Sequence, residues 1–177
     1  MFSKLFRKRP EKLRAEALYN DVVQAARQPA LYGEEGAPDT LQGRFEMILL
    51  HATLLIHELR NGDSEEGAAL AQDVFDTMFD DFDAAMRELG LGDSAVGKKI
   101  RFMAEGFYGR ASAYVDSLNK QGEDGLEAIL ARNVLECEPD DPRAAKLAAY
   151  VTQTASALAA QGQAGLLQGS KPDFQTA

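Results

Sequence analysis

The chain has 177 residues, 45% of them hydrophobic, which suits one domain with a substantial core. Charged residues make up 27%, a balance that excludes a largely disordered polyampholyte. The net charge of −9 sets most of the surface against nucleic acid, and one cysteine, Cys137, excludes an internal disulfide and fits a reducing compartment.

Residues 1–14 reverse the overall charge. Lys4, Arg7, Lys8, Arg9, Lys12 and Arg14 stand against Glu11 alone, a surplus of five, so the remainder carries −14. Phe2, Leu5 and Phe6 fall at helical spacing between these cations. Residues 1–10 therefore read as a basic amphipathic tail, with Lys4, Phe6, Arg7, Lys8 and Arg9 as expected contacts to an anionic membrane surface or the ribosome. A frayed terminus is the equally weighted alternative. The start has no apolar stretch of a secretory signal. The most apolar run, Phe45–Leu59, holds Glu46, His51, His57 and Glu58 and is too short and too charged to span a bilayer.

Six helices are predicted in residues 11–161, a single all-α domain. The first, Glu11–Gln28, carries Leu18, Val22, Ala25 and Ala26 on one stripe and stops at Pro29. Gly33, Gly36 and Pro38 break the loop that follows, with Tyr32 inside it. The second helix starts at an Asp39 or Thr40 cap and runs to about Arg60. Leu49, Leu50, Leu54, Leu55, Ile56 and Leu59 leave little of its circumference polar, so it is expected at the buried centre of the bundle. Ser64 caps the third helix, which runs to Leu89 with Leu70, Phe75, Met78, Phe79, Phe82 and Met86 on one face. The fourth spans about Ala95–Lys120, with Ile100, Met103, Phe107, Ala111 and Tyr114 inward. The fifth is Leu126–Glu136 and the sixth Arg143–Gln161, while residues 162–177 read as a flexible tail. No internal repeat and no strand is apparent.

Catalytic groups are hard to find. His51 and His57 are six positions apart on one helix and point about 120° away from each other. Neither has His, Cys, Asp or Glu three or four positions away, so the helix supplies no metal pair and no cofactor is expected. Cys137 lies between acidic residues that raise a thiol pKa. The third helix carries Asp73, Asp76, Asp80 and Asp83 along one flank, with Asp81 pointing elsewhere and Arg87 spaced to pair with Asp83. Aspartate is a poor interior helix former, so this flank reads as a recognition surface for cationic groups. The alternative is a metal- and diphosphate-dependent helical enzyme, although Asp80-Asp81-Phe82-Asp83 lacks the Asp-Asp-x-x-Asp spacing. Gly106 and Gly109 interrupt the fourth helix, which predicts close backbone approach by a neighbouring helix or by a partner.

In order and spacing, several segments resemble the ubiquinol–cytochrome c chaperone family. They are Ala26-Arg27-Gln28-Pro29 with Tyr32, Pro38-Asp39-Thr40, Gly43-Arg44-Phe45-Glu46 and Leu50-His51. Further along come Gln72 with Phe75-Asp76 and Met78-Phe79, Asp81-Phe82-Asp83, Arg87 to Asp93, and Val96-Gly97-Lys98-Lys99. Phe107-Tyr108-Gly109-Arg110 with Tyr114 follows, and Arg132-Asn133 is a weaker match. The resemblance covers about Tyr19 to Asn133, with apolar departures at Ala37, Phe82 and Leu91, and leaves the last forty or so residues unmatched.

The resemblance implies a bacterial-type assembly chaperone, not an enzyme, that binds newly made cytochrome b or another subunit of complex III. It implies a place in the cytoplasm or on the cytoplasmic face of the inner membrane. The ribosome and a small partner protein are further expected contacts, and no small-molecule substrate is expected. The residues expected to meet the partner are Tyr32, Asp39, Arg44, Asp76, Phe79, Asp80, Asp83, Arg87, Lys98, Phe107, Tyr108, Arg110 and Tyr114. Of these, Tyr32, Phe79, Phe107 and Tyr108 are candidates to line an apolar groove for a client helix.

Overall fold

A computed structural model describes residues 10–62, 64–120, 122 and 124–177, so the expected membrane or ribosome contacts Lys4, Phe6, Arg7, Lys8 and Arg9 lie outside the described part. Six helices follow one another: α1 (Pro10–Ala26), α2 (Leu41–Asn61), α3 (Glu65–Glu88), α4 (Asp93–Leu118), α5 (Leu126–Leu130) and α6 (Pro142–Leu167). Short 3-10 turns at Pro29–Leu31 and Gly33–Glu35 join α1 to α2, and a π turn at Ala131–Leu135 prolongs α5. Among the described residues there is no strand, only an isolated bridge between Tyr32 and Ala37. The predicted all-α bundle is the observed one.

Local chemistry fixes where the helices begin. The Thr40 hydroxyl accepts the Gly43 N–H at 3.0 Å, and the Ser64 hydroxyl accepts the Gly67 N–H at 2.9 Å. The Asp141 carboxylate accepts the Arg143 N–H at 2.9 Å and is gripped by the same residue's guanidinium, which holds its acid form down to about 2. Each such cap contributes about 1 kcal/mol.

Helix α2 is the central element expected from its sequence. Every residue from Glu46 to Ile56 is buried, and α1, α3, α4 and α6 pack around it. Its buried polar side chains are answered by the helix's own carbonyls and by the surrounding shell. The Thr53 hydroxyl donates to the Leu49 carbonyl at 2.8 Å. His51 is fully buried, with Nδ1 2.7 Å from the Met47 carbonyl and Nε2 2.8 Å from the Tyr150 hydroxyl of α6. A carbonyl can only accept, so Nδ1 carries the proton and Nε2 accepts from Tyr150. Burial holds the imidazole down at about 4, against the opposing pull of the Met47 carbonyl. The ring is neutral and acts as a polar bolt between α2 and α6.

Gln163 locks the corner between α2 and α3. Its side-chain amide donates to the Leu59 carbonyl at 2.5 Å and accepts from the Ser64 hydroxyl at 2.9 Å. This requires Gly67: a Cβ there would stand 2.3 Å from the Leu59 carbonyl oxygen and 2.1 Å from the Gln163 amide nitrogen.

The end of the chain departs from the sequence reading. α6 does not stop at Gln161. It bends at Gly162, which takes φ 71° and ψ 160°, a region open to glycine, and then resumes to Leu167. Arg14 of α1 donates to the Leu166 carbonyl at the end of this extension. Residues 168–177 return along the bundle, where Pro172 is buried and the Phe174 ring lies 5.5 Å from that of His51. The segment read as a flexible tail packs because it carries these two apolar side chains.

Gly67→Ala is expected to lower stability by about 2 kcal/mol, overpacking outweighing the gain in helix propensity, as read by urea denaturation. The His51 shift gives a second expectation. A buried group that resists protonation contributes stability fully above its ordinary pKa of 6.5 and loses it as pH falls towards 4. Between pH 7 and pH 4 the wild type should therefore lose roughly 3 kcal/mol relative to His51→Gln. Glu46 and Glu58, whose carboxyls burial pushes up, act in the opposite sense but equally in both proteins, so the difference isolates His51.

Candidate functional site

α3 and α4 meet along a run of aromatic rings. Phe75 lies 4.7 Å from Phe79, 5.2 Å from Phe107 and 5.5 Å from Tyr108, between centroids, and stacks on Tyr108 with 29° between planes. Phe79 and Phe82 continue the run edge to face, and Phe45 of α2 joins it 4.4 Å from Phe82. Exposure grades along it: Phe79, Phe82 and Phe107 are buried, Phe45 and Phe75 half-buried, and Tyr108 is 56% exposed. Of the aromatic residues expected to meet a partner, Phe79, Phe107 and Tyr114 thus belong to the core. Phe79 and Phe107 face each other across the seam, their centroids 6.4 Å apart. Tyr108 alone brings the cluster to the surface.

α4 is the least covered of the long helices. Only Val96, Phe107 and Tyr114 are buried among its residues. The face opposite these presents Phe102, 75% exposed, with Gly106 and Gly109 one and two turns on and Lys98 one turn before. A Cβ on Gly109 would meet nothing within 4 Å, and one on Gly106 would meet only the Arg110 guanidinium, at 2.8 Å. No other described segment of the chain fills the glycine notch. Phe102 was absent from the sequence expectation because the inward stripe accounted for its neighbours. Five residues before Phe107, it points about 140° away from that stripe, which is the signal that identifies it.

Arg110 is turned inward from the other edge of α4. It pairs with the buried Glu46 carboxylate at 3.1 Å, and Gln42 donates to the same oxygen at 2.7 Å. Burial raises the Glu46 pKa, against the lowering pull of the Arg110 guanidinium. The Tyr114 hydroxyl is buried nearby, its acidity weakened mainly by burial. Arg110, expected at a partner surface, instead ties α4 to α2, and Tyr114, expected there too, is buried.

The acidic flank of α3 divides. Asp76 and Asp80 are exposed, with Gln72 donating to Asp76 at 2.8 Å. They border a shallow groove with Asp73 and Phe79 that Lys12 of α1 closes. Asp83 is engaged by Arg87, which also reaches Asp93, so these charges pin the α3–α4 turn. Asp81 accepts from the Tyr19 hydroxyl of α1 at 2.7 Å. A separate cluster lies before α2: Arg44 pairs with Asp39 at 2.6 Å and sits over the Tyr32 ring at 5.7 Å, while the Tyr32 hydroxyl donates to the Ala26 carbonyl at 2.5 Å. Asp76 and Asp80 thus stand exposed on α3, and Lys98, Phe102 and Tyr108 stand exposed on α4, while Tyr32, Asp39 and Arg44 are held together elsewhere.

The Cys137 thiol is pushed up, by burial first and by Asp141 second. Among the described residues no three His, Cys, Asp or Glu side chains gather as a metal group, and no helix is long and apolar enough to cross a membrane.

A family model described as ubiquinol-cytochrome C chaperone matches residues 34–174. The match runs well past Asn133, through α6 and into the returning tail, where the sequence reading found no resemblance. Among solved structures, the crystal structure of the Cbp3 homolog from Brucella abortus is similar with a TM-score of 0.83 and 35% identity, over 99% of this chain and 98% of that one. No curated protein matches the sequence.

An open glycine notch has a clear energetic signature. Gly109→Ala is expected to stabilise the free protein by about 1 kcal/mol, since the helix gains propensity and nothing is displaced. Thermal unfolding of the purified chain reads this, and a loss of stability would mean that the notch is filled.

Proposed function

This chain belongs to the ubiquinol–cytochrome c chaperone family, and from that membership we propose that its client is newly made cytochrome b, held against the open face of α4 and the acidic flank of α3. The observation that carries the reading is the unfilled notch at Gly106 and Gly109, on the helix face that also carries the exposed Phe102 ring. Small residues let a second helix approach a helix backbone closely, and aromatic side chains beside them are strong anchors for apolar segments. An unassembled membrane subunit presents such apolar helices. Its cytoplasmic loops are rich in Lys and Arg, which suits Asp76 and Asp80 across the seam.

The basic residues 1–9 are the second contact in this reading, directed at anionic lipid beside the client. Lys12 and Arg14 are set apart from that role by their places in the fold, Lys12 beside the α3 aspartates and Arg14 on the end of α6. A truncation that tests the tail therefore stops at residue 9.

Crosslinked pull-down from membranes of the source organism should recover cytochrome b with the intact chain. Recovery should fall roughly tenfold with Phe102→Ala combined with Tyr108→Ala, and comparably with Asp76→Lys combined with Asp80→Lys. Undiminished recovery with both double variants would place the client elsewhere. Absence of cytochrome b from the crosslinked material would remove it as the client.

A further inference from the structure

Two glutamine side chains hold the returning C-terminal segment by its backbone. Gln161 of α6 donates to the Lys171 carbonyl at 2.7 Å and accepts the Asp173 N–H at 3.1 Å. Gln28, just past α1, donates to the Gln175 carbonyl at 3.0 Å and accepts the Ala177 N–H at 3.0 Å. Both amides engage the carbonyl of one residue and the N–H of the residue two places on, and the four positions 171, 173, 175 and 177 share one edge of the segment. A primary amide presents donor and acceptor side by side, as a neighbouring strand does, so this grip reads backbone and not sequence. Gln28 is itself steadied by the Ala25 carbonyl at 3.3 Å.

Side-chain selection comes from the alternate positions. Pro172 is buried, and Phe174 packs 5.5 Å from His51, next to Tyr150. One turn departs from an extended course, the Phe174 N–H donating to the Pro172 carbonyl at 2.9 Å. Thr176 and Ala177 themselves border a cavity of about 200 Å³ between α6 and the 3-10 turns, lined also by Leu31, Leu147 and Tyr150.

We propose that this trough between α1 and α6 is a peptide-binding groove, occupied in cis by residues 171–177, which accepts in exchange an extended segment of a partner protein that places an aromatic side chain in the Phe174 seat. The recognition is backbone pairing at one edge with an aromatic pocket at the other. It is built from α1, α2 and α6, so it stands apart from the α3–α4 face and does not depend on the client proposed for that face. The chain's own segment competes for the groove at high effective concentration, so a partner's segment binds when the strap is weakened or when a second contact tethers the partner.

The test uses the full chain and a fluorescent peptide spanning residues 168–177 as probe. Pro172→Ala combined with Phe174→Ala in the protein should increase probe affinity about tenfold or more over wild type, because cis competition is relieved. Replacing the probe's own Phe174 by Ala, or adding Gln28→Ala and Gln161→Ala to the weakened chain, should abolish most of that binding. Equal affinity for both proteins, or indifference to the probe's Phe174, would overturn the proposal. Should the weakened chain fail to fold, hydrogen exchange on otherwise intact proteins decides the matter. The Asp173 amide should exchange about tenfold faster in Gln161→Ala, and the Ala177 amide likewise in Gln28→Ala, with α2 amides unchanged. Unchanged exchange at both amides would overturn it, and a dimer formed by strap exchange would assign the groove to a second copy instead of a partner.

Discussion

Enclosure of α2 on all sides governs the rest of the molecule. Between Glu46 and Ile56 α2 has no solvated face, so its polar side chains there are met by its own backbone or by the shell packed around it. His51 is met by Tyr150 of α6 and Glu46 by Arg110 of α4, and the Leu59 carbonyl near the helix end is met by Gln163. These partners lie far away in sequence, and each sets where an outer helix sits. The hydrophobic residues of α2 supply most of the driving force, while its few polar groups supply the register.

The architecture was largely legible in the sequence because it is written in local terms. Thr40 and Ser64 announced the starts of α2 and α3, and the apolar circumference of Leu49–Leu59 announced its central place. The family resemblance was legible too, in short motifs whose order is preserved. What could not be read were contacts set by distant partners. Periodicity puts Phe79 on the stripe of α3 and Phe107 and Tyr114 on that of α4, but an apolar stripe looks the same whether another helix of the chain or a client covers it. The structure assigns the three to the core and leaves Tyr108 outside. Arg110 had a plausible surface role until Glu46 appeared beneath it. The course of the tail beyond Gly162 was hidden for a different reason: glycine, glutamine and serine read as loose chain, and only the fold brings Gln28 within reach of Gln175 and Ala177.

α4 shows the opposite balance to α2. Among its residues three are buried, and it leaves a glycine notch on the face of Phe102 unfilled. Glycines inside a helix that serve no internal packing lower the stability of the free chain. A protein that retains such a face accepts a weaker helix in return for a backbone that another helix can approach, and this matches a role in holding a subunit before its own neighbours arrive.

The contact between Arg14 and the Leu166 carbonyl joins groups 152 positions apart. Closing a loop of nearly the whole chain adds entropic cost to that contact, and it cannot form until both segments have been synthesised. On a translating ribosome, α1 and α2 emerge and begin to pair long before α6 and residues 171–177 exist. The trough between α1 and α6 is therefore assembled last and filled last. A nascent molecule completes its α2–α3 corner and its strap in the same final stage, since Gln163 and the strap leave the ribosome together.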